Sequence, residues 1–249
     1  FLIFSLVFEF ISRTKKFWKW FLIIAFIIHG FLFVFPNTLL LFDNNKTSQT
    51  KGSVSRGSIE HAKRVPMRGA NYTTYSFWGY LFARTFTHDK VKQTILDAYQ
   101  TCESTCPNTK FLLGEIGFPN GGKFLPHRTH RNGMSVDFMS PLKKGEKHLG
   151  TGYHRYNALN LWGYGMEFDK EGKDGKRELD FETIALHLQA LEKSAKKNGL
   201  SIQKVILHPD LRNKLLRTKE GKKIRHLPFT KNPVILRHDD HYHVDFKLR

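Results

Sequence analysis

The stretch that decides the fold lies at the end of the chain: His238-Asp239-Asp240-His241-Tyr242-His243-Val244-Asp245-Phe246-Lys247-Leu248. From His241 onward polar and apolar residues alternate, the period-two signature of a strand with one face against a core. Tyr242, Val244, Phe246 and Leu248 take the core face, and His241, His243, Asp245 and Lys247 take the face that opens to a cleft. Residues Met134–Met139 behave alike, with Met134, Val136 and Phe138 inward and Ser135 and Asp137 on the polar side. Pairing these two strands brings Asp137 and His243 together over one sheet face.

His130 precedes Asp137 by seven residues, an odd spacing that would send it to the opposite face of a continuous strand. Asn132-Gly133 supplies a turn that swings it back. Two imidazoles and one carboxylate then converge, the protein donor set of a catalytic Zn²⁺ that keeps a fourth position for water. Nitrogen and oxygen donors suit zinc, and no thiolate is needed. His130, Asp137 and His243 are therefore the candidate metal ligands. The plainer alternatives are a satisfied polar strand face or a His-rich surface that binds metal weakly. Neither explains two clusters with matched strand geometry.

Outward from these clusters, ten of the 13 histidines fall between His127 and His243. The 249-residue chain is 40% hydrophobic and 25% charged, which excludes disorder and collagen-like repetition. Lys+Arg total 40 against 22 Asp+Glu, a formal charge of +18 that calls for an anionic partner. No motif that reads RNA or DNA is present, so nucleic acid is set aside in favour of an acidic cell-wall polymer. Two cysteines form no disulfide framework; Cys102 and Cys106 are either a local disulfide or two buried thiols.

The chain starts at Phe1 with no methionine before Met67, as expected of a fragment or an unusual start codon. Arg13, Lys15, Lys16 and Lys19 precede an apolar run from Trp20 to Phe35 that Leu39–Phe42 continue. That length predicts a transmembrane anchor with its basic flank in the cytoplasm. A cleaved signal peptide is the rival, but no Ala-x-Ala-like site follows the run. Residues 43–56 read as a polar linker. Without residues 1–42, which hold four basic and one acidic side chain, 36 basic and 21 acidic residues remain, still +15.

In the exported part, Thr87 is expected to cap a helix with Val91, Ile95, Ala98, Tyr99 and Cys102 on its apolar face. Lys110–Ile116 reads as a strand. Asp180 caps a second helix with Phe181, Ile184, Ala185, Leu188 and Leu191 inward, and Gly199 ends it. Gln203–Leu207 is a buried strand, Pro209 opens a short helix, and 170–177 is a hairpin tip. The expected fold is α+β: a small antiparallel sheet carrying a zinc site, flanked by helices over residues 57–249 and preceded by the N-terminal transmembrane helix.

The pattern His127-x-x-His130-x-x-Gly133-x-x-x-Asp137, followed by His238-x-x-His241-x-His243, resembles the penicillin-insensitive murein endopeptidases. These are relatives of lysostaphin-type endopeptidases and D-Ala-D-Ala carboxypeptidases. The similarity runs from about Gly57 to Arg249 and takes in Gly69–Tyr75, Gly114–Gly117, Asn120–Gly122 and His208-Pro209. Lysostaphin-like enzymes space the first His and Asp more closely. The carboxypeptidases carry Glu three residues before the last ligand, where Asp240 stands here. Asp240 therefore keeps a zinc D,D-carboxypeptidase as the alternative, and a non-catalytic basic wall binder is a third.

The resemblance implies zinc-dependent hydrolysis of the D-Ala–meso-diaminopimelate cross-links of peptidoglycan, in the periplasm and tethered to the inner membrane. It further implies His241 as proton carrier, His238 as oxyanion stabiliser or partner base, and His127 as a substrate-orienting residue or ligand of a second, weaker metal. No serine nucleophile takes part, so β-lactams have nothing to acylate. Arg128, Arg131 and Arg237 are candidates to hold substrate carboxylates, His148 and His154 belong to a possible lid, and His187 is structural.

Overall fold

The computed structural model describes residues 14–31, 45–149, 164–175, 177–231 and 238–249. The chain divides into two units, Phe1–Asp43 and Asn44–Arg249. In the first, residues 14–31 form helix α1. Its opening turns carry Lys15, Lys16 and Lys19, so the uncharged part, residues 20–31, is about 18 Å long at 1.5 Å per residue. A bilayer core is about 30 Å thick. No helix among the described residues is long and apolar enough to cross a membrane. The transmembrane span expected over 20–42 is corrected to that extent, and its remainder, 32–42, lies outside the described residues.

The second unit opens with a hairpin, β1 (Gln49–Ser53) and β2 (Arg56–Glu60). It continues through β3 (Lys63–Arg64), β4 (Tyr72–Thr74), α2 (Phe77–Leu81), β5 (Phe86–Thr87), α3 (Asp89–Thr105), β6 (Phe111–Leu113) and β7 (Ser135–Met139). There follow β8 (Leu142–Lys144), β9 (Lys147–Leu149), β10 (Lys173–Asp174), β11 (Arg177–Leu179), α4 (Phe181–Lys197), β12 (Leu200–Ile206), α5 (Pro209–Leu215) and β13 (His241–Leu248). The fold is mixed α+β with small sheets. The largest has five strands in the order β12-β13-β7-β6-β4, antiparallel except for the parallel pair β4 and β6.

Alternation in β7 and β13 fixes which face meets the core. The register sets Val244 opposite Val136 and Tyr242 opposite Phe138, and these join Met134 and Phe246 in one apolar cluster. Helices α3 and α4 complete it with Ile95, Tyr99 and Cys102 from one and Ile184, Leu188 and Leu191 from the other. Each fully buried aliphatic side chain contributes about 1.5–3 kcal/mol. Leu248, expected inward, is 45% exposed because β13 runs past the end of β7, whose pairing stops at Asp245.

The helix ends follow local chemistry. Asp180 Oδ1 accepts the Thr183 N–H at 3.1 Å and caps α4, and Gly199 takes φ +74° just beyond its end. The cap of α3 is His88, not Thr87: His88 Nδ1 accepts the Lys90 N–H at 3.2 Å, while the Thr87 hydroxyl donates to the Gly133 carbonyl at 2.8 Å. Regular strand in the segment expected over 110–116 is limited to β6. Cys102 and Cys106 are buried free thiols. The linker expected over 43–56 hides structure, since Gln49–Ser53 pairs with Arg56–Glu60 across a turn at Val54 and Ser55, with Gly52 at φ +70° in the strand before it.

Candidate metal centre and cleft

The site stands on the second face of the β7–β13 pair. Register places His243 directly across from Asp137, and Asp137 Oδ1 lies 2.8 Å from His243 Nδ1. The turn before β7 delivers His130, whose own φ is +65°. Gly133 makes that turn with φ +73°, and a Cβ there would lie 2.4 Å from Ile59 Cδ1. His130 Nε2 is thereby 3.2 Å from the same Asp137 oxygen. All three side chains are buried, Asp137 and His130 completely.

The proton inventory shows what the site is built to hold. His130 Nδ1 is 2.8 Å from the Ile116 carbonyl, which only accepts, so Nδ1 carries the proton and Nε2 keeps a lone pair. Nε2 has no hydrogen-bond partner and looks toward a carboxylate. Burial holds the His130 pKa below its usual value, which keeps that lone pair free. Burial alone would raise the Asp137 carboxyl, but the imidazoles around it hold it well below the carboxylate range. Burial also opposes charge on His243, yet Asp245 at 2.7 Å from Nε2 and Asp137 at Nδ1 raise it to about 10. A buried carboxylate facing an unprotonated imidazole nitrogen is a cation site by its donor chemistry, and His127, His130 and Asp137 offer donors that could hold a metal ion.

Above this triad lies a cleft of about 510 Å³. Its wall is apolar, with Tyr75, Trp78, Phe82 and Leu125, and the histidines reaching it are His127, His238 and His241. The expected ligands thus sit beneath the residues expected to act on substrate. His127 Nδ1 lies 3.8 Å from Asp137 Oδ2, and His127, His130 and Asp137 each offer a donor atom within 4.8 Å of the others. His241 Nδ1 is 2.5 Å from Asp240 Oδ1, while its Nε2 has no hydrogen-bond partner and lies 3.8 Å from Asp137 Oδ2. Burial lowers its pKa less than the Asp240 and Asp137 charges raise it, so the net shift is upward. The His238 ring is 4.7 Å from that of His241.

Two residues that were assigned no role, Glu115 and Tyr164, complete the site. Glu115, buried at the cleft wall, accepts from Tyr75 Oη at 2.5 Å, Arg84 Nη2 at 2.8 Å and His127 Nε2 at 2.7 Å. Burial would raise its pKa, but His127 and Arg84 bring it to about 2. Tyr164 places its hydroxyl 3.2 Å from Asp137 Oδ2. The only hint in the sequence was Glu115 between Gly114 and Gly117. Arg128 and Arg131 are not among the cleft residues; Arg84 is, already engaged by Glu115. Arg237 and His154 lie outside the described residues. His148 is paired with Asp180 at 2.6 Å.

A sheet-borne carboxylate ringed by imidazoles under an open cleft is a group that could hold a metal ion. The chain belongs to the penicillin-insensitive murein endopeptidases: the family's profile matches residues 50–248. It is a peptidase acting on murein. Among curated proteins, none matches significantly. The matched region starts before Gly57 and so takes in the β1–β2 hairpin.

Proposed function

We propose that the chain is a zinc-dependent D,D-endopeptidase that cleaves D-Ala–meso-diaminopimelate cross-links of peptidoglycan in the periplasm. His130, Asp137 and His243 would hold the ion. One observation carries this: the unprotonated His130 Nε2 directed at the buried Asp137 carboxylate, with His243 on the same oxygen. When bound, zinc supplies a Lewis acid that lowers the pKa of water toward ~7 and draws charge from the scissile carbonyl. Asp245 holds His243 Nε2 and so sets the orientation of that ring.

His241 is placed to carry the proton. Asp240 fixes its Nδ1, and Nε2, left without a hydrogen-bond partner 3.8 Å from Asp137 Oδ2, would take a proton from the attacking water and return it to the leaving amine. His238, beside it, stabilises negative charge developing on the carbonyl oxygen. His127, steadied by Glu115, orients substrate.

Purified protein given cross-linked muropeptide dimers and monomeric pentapeptides tests the reading. Dimers should be split at the cross-link by protein holding stoichiometric zinc. Removal of only the terminal D-Ala from monomers would make the enzyme a carboxypeptidase instead, and turnover unaffected by a strong chelator would remove the metal from the account.

A further inference from the structure

The two oxygens of Asp137 keep different company. Oδ1 faces His243 Nδ1 at 2.8 Å and His130 Nε2 at 3.2 Å. Oδ2 accepts the hydroxyl proton of Tyr164 at 3.2 Å and has His127 Nδ1 and His241 Nε2 farther off, each at 3.8 Å. That hydroxyl in turn accepts the Glu115 backbone N–H at 2.8 Å. One bond accepted and one donated settle its position and its direction. The ring is wedged edge-on between Tyr75 and His241, with centroid separations of 5.5 and 4.8 Å. Gly114 leaves the room for this approach: a Cβ there would lie 2.7 Å from Tyr164 Oη and 2.9 Å from Asp137 Cβ.

We propose that Tyr164 is a positioning residue for the metal centre. By bonding Asp137 Oδ2, it would hold the carboxylate in one orientation, with Oδ1 turned toward His130 and His243 and Oδ2 turned away from an ion held between them. The inference rests on the zinc reading above. A carboxylate free to turn would offer both oxygens and fill the coordination place that a catalytic site keeps for water. Hydrogen bonds to ligating groups set their orientation, and losing one weakens metal binding.

The test uses the full chain, its Tyr164→Phe variant and, as control, Tyr75→Phe, whose hydroxyl bonds Glu115 rather than Asp137. Zinc affinity is read by chelator competition, and coordination number by the visible absorption of the Co²⁺-loaded proteins. Tyr164→Phe should weaken zinc about 10- to 100-fold and dim the cobalt bands, as a higher coordination number does. Tyr75→Phe should leave the spectrum and the affinity close to those of the parent. Unchanged affinity and spectrum in Tyr164→Phe, or an equal loss in Tyr75→Phe, would overturn the assignment while leaving the zinc reading intact. A parent chain that takes up no zinc would remove both.

Discussion

Two buried histidines stand on opposite sides of β13, one held neutral and the other favoured in its charged form. His187 reaches from α4 into the apolar side, stacked against Tyr99 and Phe111, with Nδ1 2.5 Å from the Tyr242 hydroxyl. Burial pushes its pKa down to about 3. His243, one residue along from Tyr242, is as deeply buried, but two carboxylates flank it and carry its pKa up to about 10. Depth is the same; the neighbours differ. Burial penalises charge on both rings, and only facing carboxylates reverse the outcome. The apolar side of the strand is thus a device for stability and the polar side a reservoir of paired charge that a metal ion can enter.

The contrast breaks most visibly at Asp137. Asp137→Asn keeps the shape and removes the charge, so cleavage of cross-linked muropeptides should fall by more than about a thousandfold, the several kcal/mol a catalytic metal supplies. Circular dichroism should show the fold retained. A variant that unfolds would mean the polar side also holds the sheet together. Phe246→Ala probes the other side. Its ring is 1% exposed, and truncation should cost about 3–5 kcal/mol in urea unfolding while turnover per folded molecule is unchanged.

A subtler expectation concerns pH in metal-free protein. His243, raised from 6.5 to about 10, contributes stability that is complete below pH 6.5 and is lost as pH climbs toward 10. His187, lowered from 6.5 to about 3, contributes stability that is complete above pH 6.5 and is lost as pH falls toward 3. Thermal melts of the apo chain should therefore sag on both sides of neutrality, with His243→Gln flattening only the alkaline side. Zinc competes with the His243 proton, so its affinity should rise with pH across the window in which the apo melts decline. Catalysis should fade in acid for the same reason. A zinc affinity that does not change between pH 6 and 9 would contradict this.

Much of this was legible in advance, for a physical reason. Alternation in β7 and β13 specifies a face at every position, because a slip of one residue would exchange core and site. The pairing of Asp137 with His243 follows from that constraint, and His130 follows from Asn132-Gly133. Helix faces on α3 and α4 were equally readable from their period. Glu115 and Tyr164 were not, since each meets its partners only through tertiary contacts: Tyr164 is 49 residues from Glu115 and 27 from Asp137. Local pattern has no access to such distances. The parallel pairing of β4 with β6 escaped for the same reason, because strands as short as these carry almost no periodic signal. The hairpin β1–β2 was hidden by polar composition.

That hairpin decides where a recombinant fragment has to begin. The Thr50 hydroxyl donates to the Asn132 carbonyl at 2.9 Å, and the Val54 carbonyl receives the Arg131 N–H at 3.1 Å, so the loop presenting His130 leans on it. Just ahead, Ser48 trades hydrogen bonds with Asp89 at the head of α3. A cloning boundary drawn at Gly57, where composition invites one, would cut away this buttress and leave a soluble-looking product whose histidine loop had lost its footing.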